Sequence, residues 1–210
     1  MTVERAWDRR GTNRGDARRA ALLAALEELL LDGAALDTIT VSQLTKRAGV
    51  TRSGFYFYFA NVPTAVAALA ETLYDDAGLA NEILADITQP PAVRIRQAIT
   101  GLFDAIDRRR HIFRAVLAAR ASDATLREFW EHSRAEYAVP IARLITAERR
   151  AGNAPAGADA SALALMLLEL NDRSLELFAL GIGPARRKHI DAVVSIWLRS
   201  VYGTDPEEAR

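Results

Sequence analysis

The stretch TVSQLTKRAGVTRSGFYFYF, residues 40–59, decides the fold. Thr40 offers a hydroxyl at the mouth of a short helix, and Gln43 three residues on completes a capping box, each side chain satisfying a backbone amide that the helix start leaves bare. Gly49 stops that helix, because glycine enters the left-handed conformation without a steric penalty. Thr51 caps a second helix of about two turns, and Asn61 followed by Pro63 opens a long one. Two short capped helices separated by a glycine-containing turn have the shape of a helix-turn-helix. Val41, Leu44 and Ala48 then face a small core, joined by Phe55 and Phe59, four apart on one face, and by Leu26, Ile39 and Val50. Taken alone, the run Phe55-Tyr56-Phe57-Tyr58-Phe59 would suit a buried strand equally well. The frame of Gly49, Thr51 and Asn61 favours the helix.

The opposite face of this unit suits nucleic acid. Arg52 and Ser53 sit in the first turn of the second short helix, where side chains reach base edges, and a bidentate arginine–guanine contact contributes ~1–3 kcal/mol of discrimination. Thr51, Tyr56 and Tyr58 carry hydroxyls for phosphate oxygens, and Thr40 adds a hydroxyl and an amide at a helix start. Gly54 is expected to let the helix approach the groove closely. Phe57 completes the exposed set, and Lys46 and Arg47 add charge beside it.

Working outward, apolar residues recur at helical spacing almost throughout, and no alternating runs are joined by a hairpin turn, so the fold is expected to be all-α with about nine helices. Besides the two short ones, the expected helices cover about 16–31, 61–84, 93–108, 112–120, 123–150, 159–180 and 184–202. Pro140 is expected to kink the seventh. Gly203 ends the last.

Lysine plus arginine and aspartate plus glutamate number 27 each, and a net charge of zero argues against nucleic-acid binding on its face. The distribution argues otherwise: Arg5, Arg9, Arg10, Arg14, Arg18 and Arg19 face only Glu4, Asp8 and Asp16 near the N-terminus. A basic arm over 1–15 that touches phosphates and a merely solvated tail both fit that composition.

The chain lacks cysteine, which excludes disulfides, thiolate metal sites and a cysteine nucleophile. Its charged start gives no signal peptide, and the most apolar stretch, Leu163 to Leu170, is too short to span a bilayer. A cytoplasmic location without membrane contact is expected. His111, His132 and His189 are scattered singly, and no metal-ligating pair, phosphate-binding glycine loop or nucleophile elbow is present, so neither metal nor cofactor is expected. An enzyme is therefore the weaker alternative, as is an interaction protein without DNA contact.

Thr40, Val41, Leu44, Ala48, Gly49, Val50, Thr51, Tyr56 and Phe59 together resemble the N-terminal pattern of the TetR family of repressors. Thr45 stands where that family usually has alanine. Ala60-Asn61-Val62-Pro63 lacks the usual lysine, at Val62, so a differently balanced phosphate grip is expected, offset by Lys46, Arg47 or the basic arm. Further blocks resemble the EthR-like subgroup: Ala119-Arg120-Ala121, Ala147-Glu148-Arg149, Asn171 to Leu175, Ile196-Trp197 and Tyr202-Gly203. The resemblance implies a DNA-binding unit over 16–60, a ligand-binding and dimerisation domain over 61–203 and a tail over 204–210. It further implies a palindromic double-stranded operator, a homodimer through the last two helices, and release by an elongated, largely apolar small molecule.

The residues agree with this. The helix Ser161–Leu180 is apolar on nearly every face and must be covered on several sides, by its own chain or by a partner subunit. Asn171 and Asp172 interrupt it and need partners: by resemblance Asn171 orients a ligand carbonyl, while Asp172 pairing with Arg173 or Arg134 is the alternative. Leu102, Phe103, Ile106, Phe113, Trp130, Tyr137, Leu168, Leu175 and Trp197 are candidate walls of a channel, as a set, since each alone would serve as core. Arg134 stands where the subgroup has an apolar residue. Pointing inward, it would give the effector an acidic or polar end.

Overall fold

A computed structural model describes residues 4–204, with the side chains of 4–14, 72–78, 125, 129, 132 and 133 outside the described residues. Apart from Thr204, the tail lies outside them as well. The described residues contain no strand, and their order is α1 (Glu4–Leu31), a 3₁₀ turn (Leu36–Thr38), α2 (Val41–Ala48), α3 (Arg52–Tyr58), α4 (Val62–Ala85), α5 (Pro91–Arg108), α6 (Arg110–Ser122), α7 (Ala124–Arg150), α8 (Ala160–Leu180) and α9 (Arg186–Tyr202).

Local chemistry explains most boundaries. Thr40 Oγ1 accepts from the Gln43 amide at 3.3 Å while Gln43 Oε1 accepts from the Thr40 amide at 2.8 Å, which is the expected capping box. Gly49 ends α2 at φ 65°, in the left-handed region. Thr51 caps α3, Asn61 caps α4 ahead of Pro63, and Asp123 and Asp159 cap α7 and α8. Pro140 lies inside α7. The sequence expectation differs from the structure at α1, which starts at Glu4 rather than Asp16, so residues expected to form an arm continue the helix.

The core is one continuous cluster from Leu22 to Tyr202. Leu26, Leu44 and Phe55 are fully buried in its N-terminal part, with Ile39 and Phe59 beside them. Val41, Ala48 and Val50 pack on it partly buried. Thr45, in the place of an alanine, is also buried; its hydroxyl donates to the Ser42 carbonyl at 3.2 Å, which spares it an unmet donor.

The helix α4 continues the core away from the first three helices and packs on α1, α5, α6 and α7. Polar contacts add to the packing of α1 on α4 and α6: Arg19 pairs with Glu71 of α4 at 3.4 Å, and His111 of α6 meets Glu27 at 3.2 Å. At the far end of α4, Arg94 is buried with Glu148 (2.6 Å), Tyr202 (2.7 Å) and the Leu84 carbonyl (2.8 Å). That cluster fastens α4, α5, α7 and α9 together.

Candidate DNA-binding face and ligand pocket

On the outer side of α2 and α3, Thr40, Lys46, Thr51, Arg52, Ser53, Tyr56 and Phe57 are exposed together. Phe57 is 78 % exposed, an unusual position for a phenylalanine, and Tyr56 is 49 % exposed. Arg52 lies over the Tyr56 ring, 5.7 Å from its centroid, with Nη2 3.4 Å from the tyrosine hydroxyl. The pair presents a guanidinium and a phenol side by side. Thr51 and Ser53 hydroxyls are 3.1 Å apart.

Three expected contact residues behave differently. Arg47 is turned back onto α1, with Nε 2.9 Å from Glu28 and Nη2 3.0 Å from Asp32, so its charge holds α2 to α1. Tyr58 is half-buried against the core. Gly54 has an inward reason for lacking a side chain: a Cβ there would lie 2.8 Å from Val50 Cγ1 and 3.1 Å from Thr51 Oγ1. The space it saves inside the turn is a reason for glycine that does not depend on approach to a groove. Near Val62, the Asn61 carboxamide accepts from the Thr64 amide and hydroxyl, both at 2.8 Å, and no basic side chain stands in the 60–63 segment.

Five helices of the larger half, with Phe113 of α6, line a pocket that opens to solvent. Leu102 and Ile106 of α5, Trp130, Arg134 and Tyr137 of α7, Leu168, Asn171, Asp172 and Leu175 of α8, and Trp197 of α9 line it with Phe113. Phe103 does not. It is buried behind the wall, its ring 5.2 Å from Phe178 and 6.0 Å from His189, so α5 turns it toward α8 and α9. The sequence reading missed Ala70, Ala80, Asn81 and Leu84 of α4, together with Ala98, Ile99, Ala105 and Ile141. Alanines at a helix contact signal room beside them, but they equally mark close helix packing.

The polar part of the wall includes two separate sets of contacts. Asn171 Oδ1 accepts from Trp197 Nε1 at 3.0 Å, which fixes the carboxamide of a residue that lines the pocket. Arg134 reaches from α7 to α8, donating from Nε to Asp172 at 2.9 Å and pairing through Nη1 with Glu169. Arg173 instead pairs with Glu176, at 3.0 Å. Burial pushes the Asp172 carboxyl up from the ordinary carboxylate range, against the pull of Arg134. Among the described residues no group of three or more metal-ligating side chains occurs, and no helix is long and apolar enough to cross a membrane.

Comparison with known proteins decides what such an arrangement belongs to. The family model described as "Transcriptional regulator EthR, C-terminal domain" matches residues 95–203. The HTH-type transcriptional regulator EthR of Mycobacterium tuberculosis is 34 % identical over 196 residues, covering 90 % of this chain and 89 % of that protein. The chain belongs to the EthR-like transcriptional regulators of the TetR family. Its fold is correspondingly shared with a TetR-family regulator from Rhodococcus sp. (TM-score 0.66, 16 % identity, 85 % of this chain and 97 % of that one). It is shared as well with Bacillus subtilis FadR, solved in complex with stearoyl-CoA (TM-score 0.66, 17 % identity, 88 % and 98 %). The named relatives are transcriptional regulators.

Proposed function

We propose that this chain represses transcription as a cytoplasmic homodimer on a palindromic double-stranded operator, and that an elongated, largely apolar small molecule in the pocket releases it. The observation that carries the reading is the double role of α4. Its first residues follow directly on α3, and Ala70, Ala80, Asn81 and Leu84 further along it line the pocket. An occupant that moves α4 therefore moves the recognition unit. Base reading falls to Arg52 and Ser53, with Phe57 as an apolar contact suited to a thymine methyl, and backbone contact to Thr40, Lys46, Thr51, Tyr56 and Tyr58.

Dimerisation is supported by apolar side chains left exposed on and beside α8 and α9: Leu165, Met166, Leu180, Ile182 and Ile196. A two-fold dimer through them would set two α3 helices against successive major grooves, about 34–36 Å apart in B-DNA. The basic residues of α1 before Gly15 are proposed as a supplementary phosphate contact.

Electrophoretic mobility shift with the full chain and the DNA upstream of its own gene tests the reading. Binding that weakens with salt, is lost in Arg52→Ala, and falls on adding an apolar ligand that quenches tryptophan emission is expected. No shift with any genomic fragment at low salt would sink it, and ligand binding without a change in DNA affinity would sink the coupling.

A further inference from the structure

Resting on the reading of the pocket as an effector site, the charges on its wall narrow the effector's chemistry. Arg134 is the one cation that lines the pocket among the described residues, and it is forked between two carboxylates of α8, Asp172 and Glu169. Outside the lining, Arg120 lies over the ring of Trp130, 5.0 Å from its centroid, and 3.9 Å from Glu176, which also holds Arg173. Each of these arginines thus already has a carboxylate, and each of these carboxylates an arginine.

An alkyl carboxylate entering here would have to draw Arg134 away from its two acids. That would leave Asp172 partly buried, short of its cation and beside a second anion, the costly outcome for charges out of water. An ammonium group fares no better, since it would meet Asp172 only by sharing it with the Arg134 guanidinium. A neutral group meets no such penalty.

We infer that Arg134, held by Asp172 and Glu169, is a selectivity element that admits effectors uncharged at this wall and excludes free carboxylates and ammonium groups. Of the acidic or polar effector end expected from the sequence, the inference keeps the polar one: Arg134 does face the pocket, but its charge is satisfied within the protein. The raised affinity of Asp172 for a proton agrees, because it marks a place where a further negative charge is unwelcome.

The test uses full-length protein and three matched probes below their micellar concentrations: dodecanamide, dodecanoate and dodecylammonium, followed by tryptophan emission and calorimetry at pH 8. Dodecanamide is expected to bind at least about tenfold more tightly than either charged probe. Glu169→Gln, a change outside the pocket lining, and Glu169→Gln with Asp172→Asn free Arg134 stepwise. The dodecanoate-to-dodecanamide affinity ratio should rise about tenfold or more across them, with thermal melts showing that each variant folds. Dodecanamide binding with an equal or tighter charged probe, or an unchanged ratio in both variants, would overturn the selectivity inference alone. Failure of all three probes to bind protein that still shifts operator DNA would overturn the pocket reading together with it.

Discussion

Replacing Glu148 by alanine removes one partner of a charge that the fold has sealed in. The Arg94 and Glu148 side chains are 2 % and 5 % exposed, and their 2.6 Å contact joins α5 to α7. Arg94 would keep the Leu84 carbonyl and the Tyr202 hydroxyl, but neither carries charge, so a cation would be left in a low-dielectric site. Breaking a buried pair in this way costs about 3–5 kcal/mol. For a chain of this size each kcal/mol lowers Tm by roughly 2–4 °C, giving a fall of about 6–20 °C by circular dichroism. The double change Arg94→Met with Glu148→Leu removes both charges and fills the space, and should recover more than half of that loss. Tyr202→Phe leaves the ion pair and should cost only about 1–2 kcal/mol. The Tyr202 hydroxyl, pushed up to about 12 by burial, stays protonated throughout the measurement. A Glu148→Ala variant that melts within about 2 °C of the parent, or a double variant less stable than the single one, would refute the reasoning.

Thr40→Ala removes the Gln43 amide's acceptor and should cost about 1 kcal/mol, read as a lower Tm together with weaker operator binding, because α2 frays at the DNA face. Gly54→Ala gains about 1 kcal/mol of helix propensity, but its Cβ meets Val50, and crowding of that kind costs about 1–3 kcal/mol. A net loss of stability, recovered by adding Val50→Ala, is expected in urea melts; a stabilised single variant would contradict it. Asp172, whose folded-state proton affinity is raised above the ordinary value of 3.8, contributes stability that is present below that value and is lost as pH rises through the raised one. Asp172→Asn should flatten that slope in melts between pH 3 and 7, and parallel curves for the two proteins would contradict it.

What the sequence disclosed was whatever a few neighbouring residues decide. The caps at Thr40, Thr51 and Asn61, and the stop at Gly49, each depend on residues within about a turn of the backbone they satisfy, so they could be read before any fold was known. The start of α1 escaped because Gly11 and Gly15 weaken a local helical pattern. At Gly54 the sequence suggests a position without a side chain, but the contact with Val50 one turn back that a Cβ would make is visible only in the fold.

The pocket shows the same division. Wide apolar stripes on α5, α7 and α8 pointed to Leu102, Trp130, Leu168 and their neighbours, yet periodicity alone could not turn Phe103 away from the cavity, since that depends on Phe178 and His189. Arg94 left a faint signal. It shares a helical face with Ala98 and Ala105, where a charge is out of place, but its partners are 54 and 108 residues away and no local pattern names them. Glu148, Asn171, Trp197 and Tyr202, all within the blocks that resemble the EthR-like subgroup, prove to hold the buried polar contacts Arg94–Glu148–Tyr202 and Asn171–Trp197.

The central claim is that the α2–α3 face reads DNA as one half of a symmetric pair. Selection of binding sites from a random duplex library by the full-length protein tests it most directly. The account predicts an enriched palindrome with half-sites about one helical turn, or a multiple of it, apart, and loss of base preference at one position of each half-site in Arg52→Ala. Recovery of no enriched sequence, or of an enriched sequence bound equally well by Arg52→Ala, would contradict it.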